Sequence, residues 1–295
     1  MSGVTAAGVV IVDKPRGWTS HQVVGRLRRI LGTRKVGHAG TLDPMATGVL
    51  VVGVNRATRL LGHLMLTQKR YTATMRLGAT THTDDADGDE TSHAGAVGVD
   101  ENAVRRAMEQ FTGEIQQIPT AVSAIKVDGK RAYQRVRDGE EVQLKARPVT
   151  VHAFELFETR AGPEETLDCD VSVTCSAGTY IRALARDIGE VLGCGGHLVA
   201  LRRTSVGPFE ISEATVVDNA TEDVPMLGID EVARLSFPTL ALDADTAARV
   251  RHGSRIGGLG LEELTALFDG EEFLALYGPG AGEKQGSAVP EAVFC

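Results

Sequence analysis

The apolar positions fall into short runs separated by glycine and polar stretches, and their period switches between two and 3.6. Residues 8–12 form a brief continuous apolar run of the buried-strand type. Thr19 or Ser20 then opens a helix with Val23, Val24, Leu27, Ile30 and Leu31 on its apolar side, stopped by Gly32. A glycine-rich loop over residues 37–44 leads into a strand at 49–54, and residues 69–77 alternate like another strand. Asp100 caps a second helix, with Val104, Ala107, Met108 and Phe111 on one face, ending at Gly113. Residues 149–157 and 166–175 show the period-two pattern of antiparallel strands. Between Gly178 and Gly193 lies a third helix, with Ile181, Leu184, Ala185, Ile188, Val191 and Leu192 inward. Residues 126–147 are polar and mixed in charge, and read as a helical hairpin or a mobile insertion. Strands and helices alternate irregularly, so the expected class is α+β with a mixed or antiparallel sheet.

A boundary is expected in the acidic stretch 215–238, which divides the chain into residues 1–235 and 236–295. The second part holds a strand at 239–242, a short helix near 245–251 and apolar runs at 264–268 and 273–277. That suits a small β-rich module. The tail from Gly278 is rich in glycine and alanine and is expected to be disordered.

Composition narrows the function classes. The longest apolar run, 46–54, falls far short of the roughly 20 residues a spanning helix needs, so no membrane partner is expected. No basic stretch precedes the first apolar run, which argues against a secretory leader. The four cysteines form no C-x-x-C pair and read as thiols of a cytoplasmic protein, without disulfides or a zinc site.

The net charge of −8 argues at first against a nucleic-acid partner. Its distribution reverses that. Residues 210–245 carry nine acids and one base, and so account for the whole imbalance. Residues 14–76 carry twelve bases and a single acid, Asp43. A basic stripe is what a phosphate backbone recognises, through release of its counterions.

Neither a phosphate-binding P-loop nor a dinucleotide-type G-x-G-x-x-G is present, nor H-E-x-x-H or G-x-S-x-G. The acid run 84–90 resembles a calcium loop, but aligning its glycine puts Thr83 first and Ala94 last, so it reads as a polar turn. No cofactor and no metal is expected.

The chemistry concentrates in Gly37-His38-Ala39-Gly40-Thr41-Leu42-Asp43-Pro44-Met45-Ala46-Thr47-Gly48. Its glycines allow close approach of another chain, and the proline pushes Asp43 towards an extended, presented conformation. This segment resembles the G-H-x-G-x-L-D-P-x-A-x-G signature of the TruB family of tRNA pseudouridine synthases. Asp13-Lys14-Pro15-Arg16-Gly17-Trp18-Thr19-Ser20, Lys69-Arg70-Tyr71 and Thr83-Asp84-Asp85-Ala86-Asp87-Gly88 agree with it in order. So do Gln117-Ile118-Pro119, Ser123-Ala124-Ile125-Lys126 and Gly129-Lys130-Arg131-Ala132-Tyr133. Cys175-Ser176-Ala177-Gly178-Thr179-Tyr180-Ile181-Arg182 and the stretch from His197 to Arg203 complete the series, so the likeness spans residues 8 to about 210.

The resemblance implies that residues 1–235 are a pseudouridine synthase catalytic domain, with its insertion near 126–147. It implies a small PUA-like RNA-binding module in residues 236–295. The substrate would be the uridine at position 55, in the T-arm stem-loop of tRNA; independently of the resemblance, a monomer is the default expectation. Asp43 would be the catalytic aspartate, attacking C1′ or abstracting a sugar proton. Tyr71 would stack on the base, Arg182 would pair with Asp43, and Leu201 would line the uracil pocket. His38 would fill the gap left in the RNA stack, and Lys14 would support the catalytic loop.

Elementary energetics agree with these roles. Extruding a base costs a few kcal/mol, and an aromatic face recovers about 1–3 kcal/mol by stacking. A neighbouring guanidinium favours the ionised carboxylate. Three other readings remain open at this level: a guide-dependent H/ACA-type synthase, a tRNA-binding folding factor with incidental catalysis, and a glycoside hydrolase. The first is disfavoured by the short C-terminal module and the lack of a long basic tail. A hydrolase needs two carboxylates about 5–10 Å apart, and residues 14–76 offer one.

Overall fold

A computed structural model of the chain describes residues 6–120, 126–127, 130–131, 144–282 and 285–295. The chain opens with β1 (Gly8–Lys14), α1 (Ser20–Ile30), β2 (Val36–Ala39) and β3 (Thr47–Val54). Next come α2 (Leu61–Leu64), β4 (Lys69–Leu77), β5 (Ala79–Thr81), β6 (Glu90–His93), α3 (Glu101–Glu109) and β7 (Gly113–Gln117). A small hairpin of β8 (Lys126–Val127) and β9 (Lys130–Arg131) precedes β10 (Arg147–Ala161), β11 (Leu167–Cys175) and α4 (Ile181–Val191). Then follow β12 (Gly196–Val206), β13 (Phe209–Glu210), β14 (Thr215–Val216), β15 (Leu227–Gly228) and α5 (Ile229–Ser236). The C-terminal part holds β16 (Thr239–Ala241), α6 (Ala244–Arg251), β17 (Ile256–Gly257), β18 (Thr265–Asp269), β19 (Glu272–Pro279) and β20 (Ser287–Val293).

Among the described residues eleven strands form one mixed sheet, whose main path runs β14-β1-β3-β12-β4-β11-β10-β7. A separate five-stranded sheet has the order β16-β18-β19-β20-β17. This is the α+β architecture expected from the irregular order of elements.

The unbroken apolar run of β1 has a direct cause. Val9 and Ile11 pack towards the C-terminal sheet, with Phe268, Phe273 and Phe294, whereas Val10 and Val12 pack beneath α1. A strand covered on both faces carries apolar residues at every position. The α1 helix starts at a capping box, Thr19 with Gln22, and turns out at Gly32 with φ +62°. On the far half of the sheet, α3 and α4 cover β4, β11 and β12, with Met75, Val104, Met108, Leu184 and Ile188 inward.

Several expectations need correction. The loop expected over 37–44 is half strand: β2 takes residues up to Ala39 and pairs His38 with Val52. The α3 helix ends at Glu109, and Gly113, at φ +96°, opens β7 instead of closing the helix. Val191 faces outward, 48% exposed, because it lies beside the covered stripe of α4, whereas the adjacent Leu192 packs inward. Of the tail expected to be disordered, Gly278 and Pro279 belong to β19, and β20 pairs with β19 and β17. Its anchor is Phe294, buried against Phe273 at 4.9 Å between ring centroids, with Arg56 donating 2.6 Å to its carbonyl. Gly278 lies within β19 and Ala288 within β20, and Phe294 carries the packing. Of the insertion expected over 126–147, residues 128–129 and 132–143 lie outside the described residues, as do the Ser123–Ile125 and Ala132–Tyr133 parts of the quoted motifs.

Candidate active site

One cavity of about 450 Å³ lies between the β4/β12 face, the loop carrying Asp43 and the first turn of α4. Ladder register explains its floor. Tyr71 of β4 lies opposite Arg203 of β12, Ala73 lies opposite Leu201, and Arg203 also pairs with Gly48 of β3. Side chains two apart on a strand share a face, so Lys69, Tyr71, Leu201 and Arg203 converge on the cavity. Gly48 is required there: its φ is +100°, and an added Cβ would lie 2.1 Å from the Arg203 carbonyl oxygen.

The Asp43 loop is tied down at several points. Ser20 Oγ, in the first turn of α1, accepts from the Leu42 amide at 2.9 Å, and its hydroxyl lies 3.1 Å from the Leu42 carbonyl. Leu42, Met45 and Ala46 are buried and flank Asp43 as apolar anchors. Lys14 Nζ is buried and donates to the carbonyls of Trp18 (2.6 Å), Pro15 (3.0 Å) and Pro44 (3.4 Å). The Gly17 amide donates to the same Pro44 carbonyl at 2.8 Å. Lys14 therefore braces the residue next to Asp43 with its ammonium. Burial drops the Lys14 pKa to about 8, with the nearby Asp43 carboxylate acting the other way.

Asp43 meets Arg182 of α4 at 3.1 Å. The same guanidinium contacts Asp85 at 3.1 Å and donates to the Thr83 carbonyl at 2.7 Å. Arg182 and Asp85 are almost fully enclosed, at 5% and 4% side-chain exposure, while Asp43 keeps 39%. The bridge is thus closed at one end and open at the other. The recess around Asp43 raises its pKa chiefly by desolvation; Arg182 opposes that rise, Asp85 adds to it and Lys14 opposes it. Tyr71 is buried, which pushes its phenol pKa up, with Arg203 acting the other way.

Asp43, Tyr71, Leu201 and Arg182 thus line one cavity, and Lys14 sits directly behind it. His38 does not line it. It lies on β2, half-buried, edge-on to His21 at 6.4 Å, with its Nδ1 buried and unpartnered.

Sequence reasoning missed three groups. Asp85 hides in the acid run read as a polar turn; the turn is real, but it points a buried carboxylate at Arg182. Its neighbour Asp84 pairs with Arg186 at 3.2 Å. Arg203 is 1% exposed, donates to the carbonyls of Val49 (2.7 Å) and Gly40 (3.1 Å), and has no carboxylate partner among the described residues. Lys69 is buried with its pKa lowered to about 8, mainly by desolvation. The basic stretch 14–76 is accordingly no uniform phosphate-facing stripe. Lys14 and Lys69 are internal braces to backbone carbonyls, and half-buried Arg26 and exposed Arg56 also donate to carbonyls, while Arg16, Arg29, Arg34 and Lys35 remain exposed.

Comparison with known proteins agrees with this site. A family model for the N-terminal domain of TruB family pseudouridylate synthases matches residues 28–181. A second, for the C-terminal domain of tRNA pseudouridylate synthase B, matches residues 182–223. The chain is 57% identical over 286 residues to the tRNA pseudouridine synthase B of Cutibacterium acnes (strain DSM 16379 / KPA171202), covering 96% of each chain. It is 58% identical over 253 residues to that of Arthrobacter sp. (strain FB24), covering 85% of this chain and 82% of the relative. Among solved structures it is similar to a Cbf5-Nop10-Gar1 complex, with a TM-score of 0.72 and 28% identity over 98% of this chain and 85% of that one. With its sequence, fold and carboxylate–guanidinium centre in agreement, the chain belongs to the TruB family of pseudouridylate synthases.

Proposed function

We propose that this protein isomerises the uridine at position 55, in the T-arm loop of tRNA, to pseudouridine, as a monomer in the cytoplasm. One observation carries the reading: the partly open carboxylate of Asp43 lies 3.1 Å from a buried guanidinium, in a cavity walled by Tyr71 and Leu201. The uridine leaves its stack and enters there. Asp43 acts on the sugar, the N1–C1′ bond breaks, the uracil turns, and a C5–C1′ bond forms. C5 then gives up its proton and N1 ends with one, so atoms and electrons balance within the substrate.

Each residue has a physical part in this. Arg182 keeps Asp43 oriented and favours its ionised form against the desolvation of the recess. Tyr71 offers the face on which the base stacks, worth about 1–3 kcal/mol, and its hydroxyl is a candidate for handling the C5 proton. Leu201 keeps water from the detached base. Lys14 holds the loop through Pro44. His38, on the strand outside the cavity, fills the gap in the RNA stack. Residues 1–235 perform catalysis, and residues 236–295 add RNA contact surface.

A guide-dependent synthase is the runner-up, because the solved relatives include H/ACA assemblies. The identity of 57–58% to proteins named tRNA pseudouridine synthase B, against 27–29% to chains of those assemblies, favours the first reading. The test is incubation of purified protein with unmodified tRNA transcripts, without guide RNA, followed by mapping of pseudouridine. Product at position 55 is expected. Absence of product, or product only elsewhere, would overturn the assignment.

A further inference from the structure

The turn that follows α2 presents two large apolar side chains to solvent at the mouth of the cavity. Met65 is 44% exposed and Leu66 is 72% exposed, and both line the cavity that holds Asp43 and Tyr71. Exposed aliphatics are common on proteins and carry no meaning singly. Here two adjacent ones stand at the entrance to a reaction cavity, on a segment held rigidly from below. The buried ammonium of Lys69 donates to the carbonyls of Met65 (2.7 Å) and Thr67 (2.9 Å). Thr67 Oγ1 donates to Leu64 O at 2.7 Å, and the Gly207 amide donates to Gln68 O at 2.8 Å. The local charge is thus turned inward, onto backbone oxygens, and the face left outward is apolar.

Resting on the proposed function, we infer that Met65 and Leu66 form a preorganised apolar rim that packs against a nucleobase flanking the extruded uridine. The chemistry favours a base over other occupants. When a uridine leaves its stack, its neighbours lose a stacking face, and the RNA chain must cross the cavity mouth to deliver it. An unstacked base is planar and apolar on its face, and aliphatic side chains are used elsewhere as wedges against such faces. Met65 and Leu66 offer no hydrogen-bonding group that reads a base edge, so the contact tolerates any base. Because the rim is already fixed, ordering it on binding costs little.

The test is a cycle of changes on both partners. Leu66→Ser is compared with wild type on intact tRNA, and on tRNA carrying an abasic residue immediately 5′ or immediately 3′ of the target. Leu235→Ser is the control, since Leu235 is also exposed (52%) but lies on α5, outside this cavity. Leu66→Ser should raise KM about tenfold, with single-turnover conversion at saturating RNA within about threefold of wild type. On one of the two abasic substrates wild type should fall by a similar factor, and Leu66→Ser should fall no further. Unchanged KM in Leu66→Ser, an equal loss in the control, or losses that multiply on both abasic substrates would overturn the rim. Wild-type protein that forms no pseudouridine on intact tRNA would instead sink the functional reading beneath it.

Discussion

Two arginines in this molecule each grip a pair of carboxylates, in opposite surroundings. Arg182 bridges Asp43 and Asp85 with 5% of its side chain exposed. Arg251, on α6, bridges Asp269 and Glu272 at the turn between β18 and β19, with 35% exposed. The atoms are alike, but the dielectric around them is not. In the exposed case water screens each charge and competes for it, so such pairs contribute little. In the enclosed case desolvation is costly, and loss of the Arg182 guanidinium would strand the buried Asp85 carboxylate. The cavity also keeps one carboxylate partly uncovered, which a purely structural bridge does not need. The C-terminal sheet draws its stability from Phe268, Phe273, Leu274 and Tyr277, and leaves its charges on the outside.

The largest expected effect comes from the uncovered acid. Asp43→Asn should lower the single-turnover rate of pseudouridine formation by at least ~10³-fold, the scale of losing a reacting group. Binding of tRNA should stay within about tenfold, because phosphate contacts dominate affinity. Thermal unfolding should occur at the same or a higher temperature, since a carboxylate held in a desolvating recess is removed. A variant that kept its rate would leave the two bridges equivalent.

How much of this contrast the chain reveals depends on sequence distance. Asp43 is conspicuous as the lone acid among twelve bases, and its proline and glycines mark a presented loop. The period-two and period-3.6 patterns locate β4, β11, α1 and α4 because each has one face on a single core. Asp85 was invisible as a partner: it sits among solvated acids, and only the fold of Thr83–Gly88 turns it inward. Arg203 reads as one more cation until the β3–β12–β4 ladder encloses it. The order of β20 was equally hidden, because its packing comes from Phe294 meeting residues of β19 and from arginines 234 or more positions away.

Arg182→Met is the next largest effect. It strands Asp85, which is 3% exposed, and should cost about 3–5 kcal/mol in urea unfolding. The rate should fall by ~10²-fold or more as Asp43 loses its orienting partner. Adding Asp85→Asn to this variant should recover part of the stability but none of the rate. Recovery of both would mean that Arg182 acts only as a structural brace.

Acidity gives a finer test, with two signs to separate. Burial holds the Asp43 pKa above the ordinary 3.8, so the folded chain keeps its proton to a higher pH than the unfolded chain does. Between those two values stability falls as pH rises, and above the folded value the full penalty remains. On the proposed function, activity should run the other way, because the step proposed for Asp43 needs its ionised form. The acid limb of the rate profile should therefore lie above an ordinary aspartate midpoint. Arg182→Lys, which keeps the charge but loses the fork, should move that limb further upward. A limb at or below 3.8 in the wild type would remove the desolvated recess from the account.

The smallest effect should come from the other bridge. Arg251→Met removes two ion pairs on the surface, including one of 2.9 Å to Asp269, yet should leave thermal unfolding and pseudouridine formation indistinguishable from wild type. The stem of the new side chain can still cover the apolar surface that the arginine stem covers, so packing is retained. What is lost is screened Coulomb attraction, set against the release of the Asp269 and Glu272 side chains. A clear drop in stability would show that the β18–β19 edge relies on this guanidinium as the cavity relies on Arg182. The contrast between the two bridges would then reflect position in the fold and not burial.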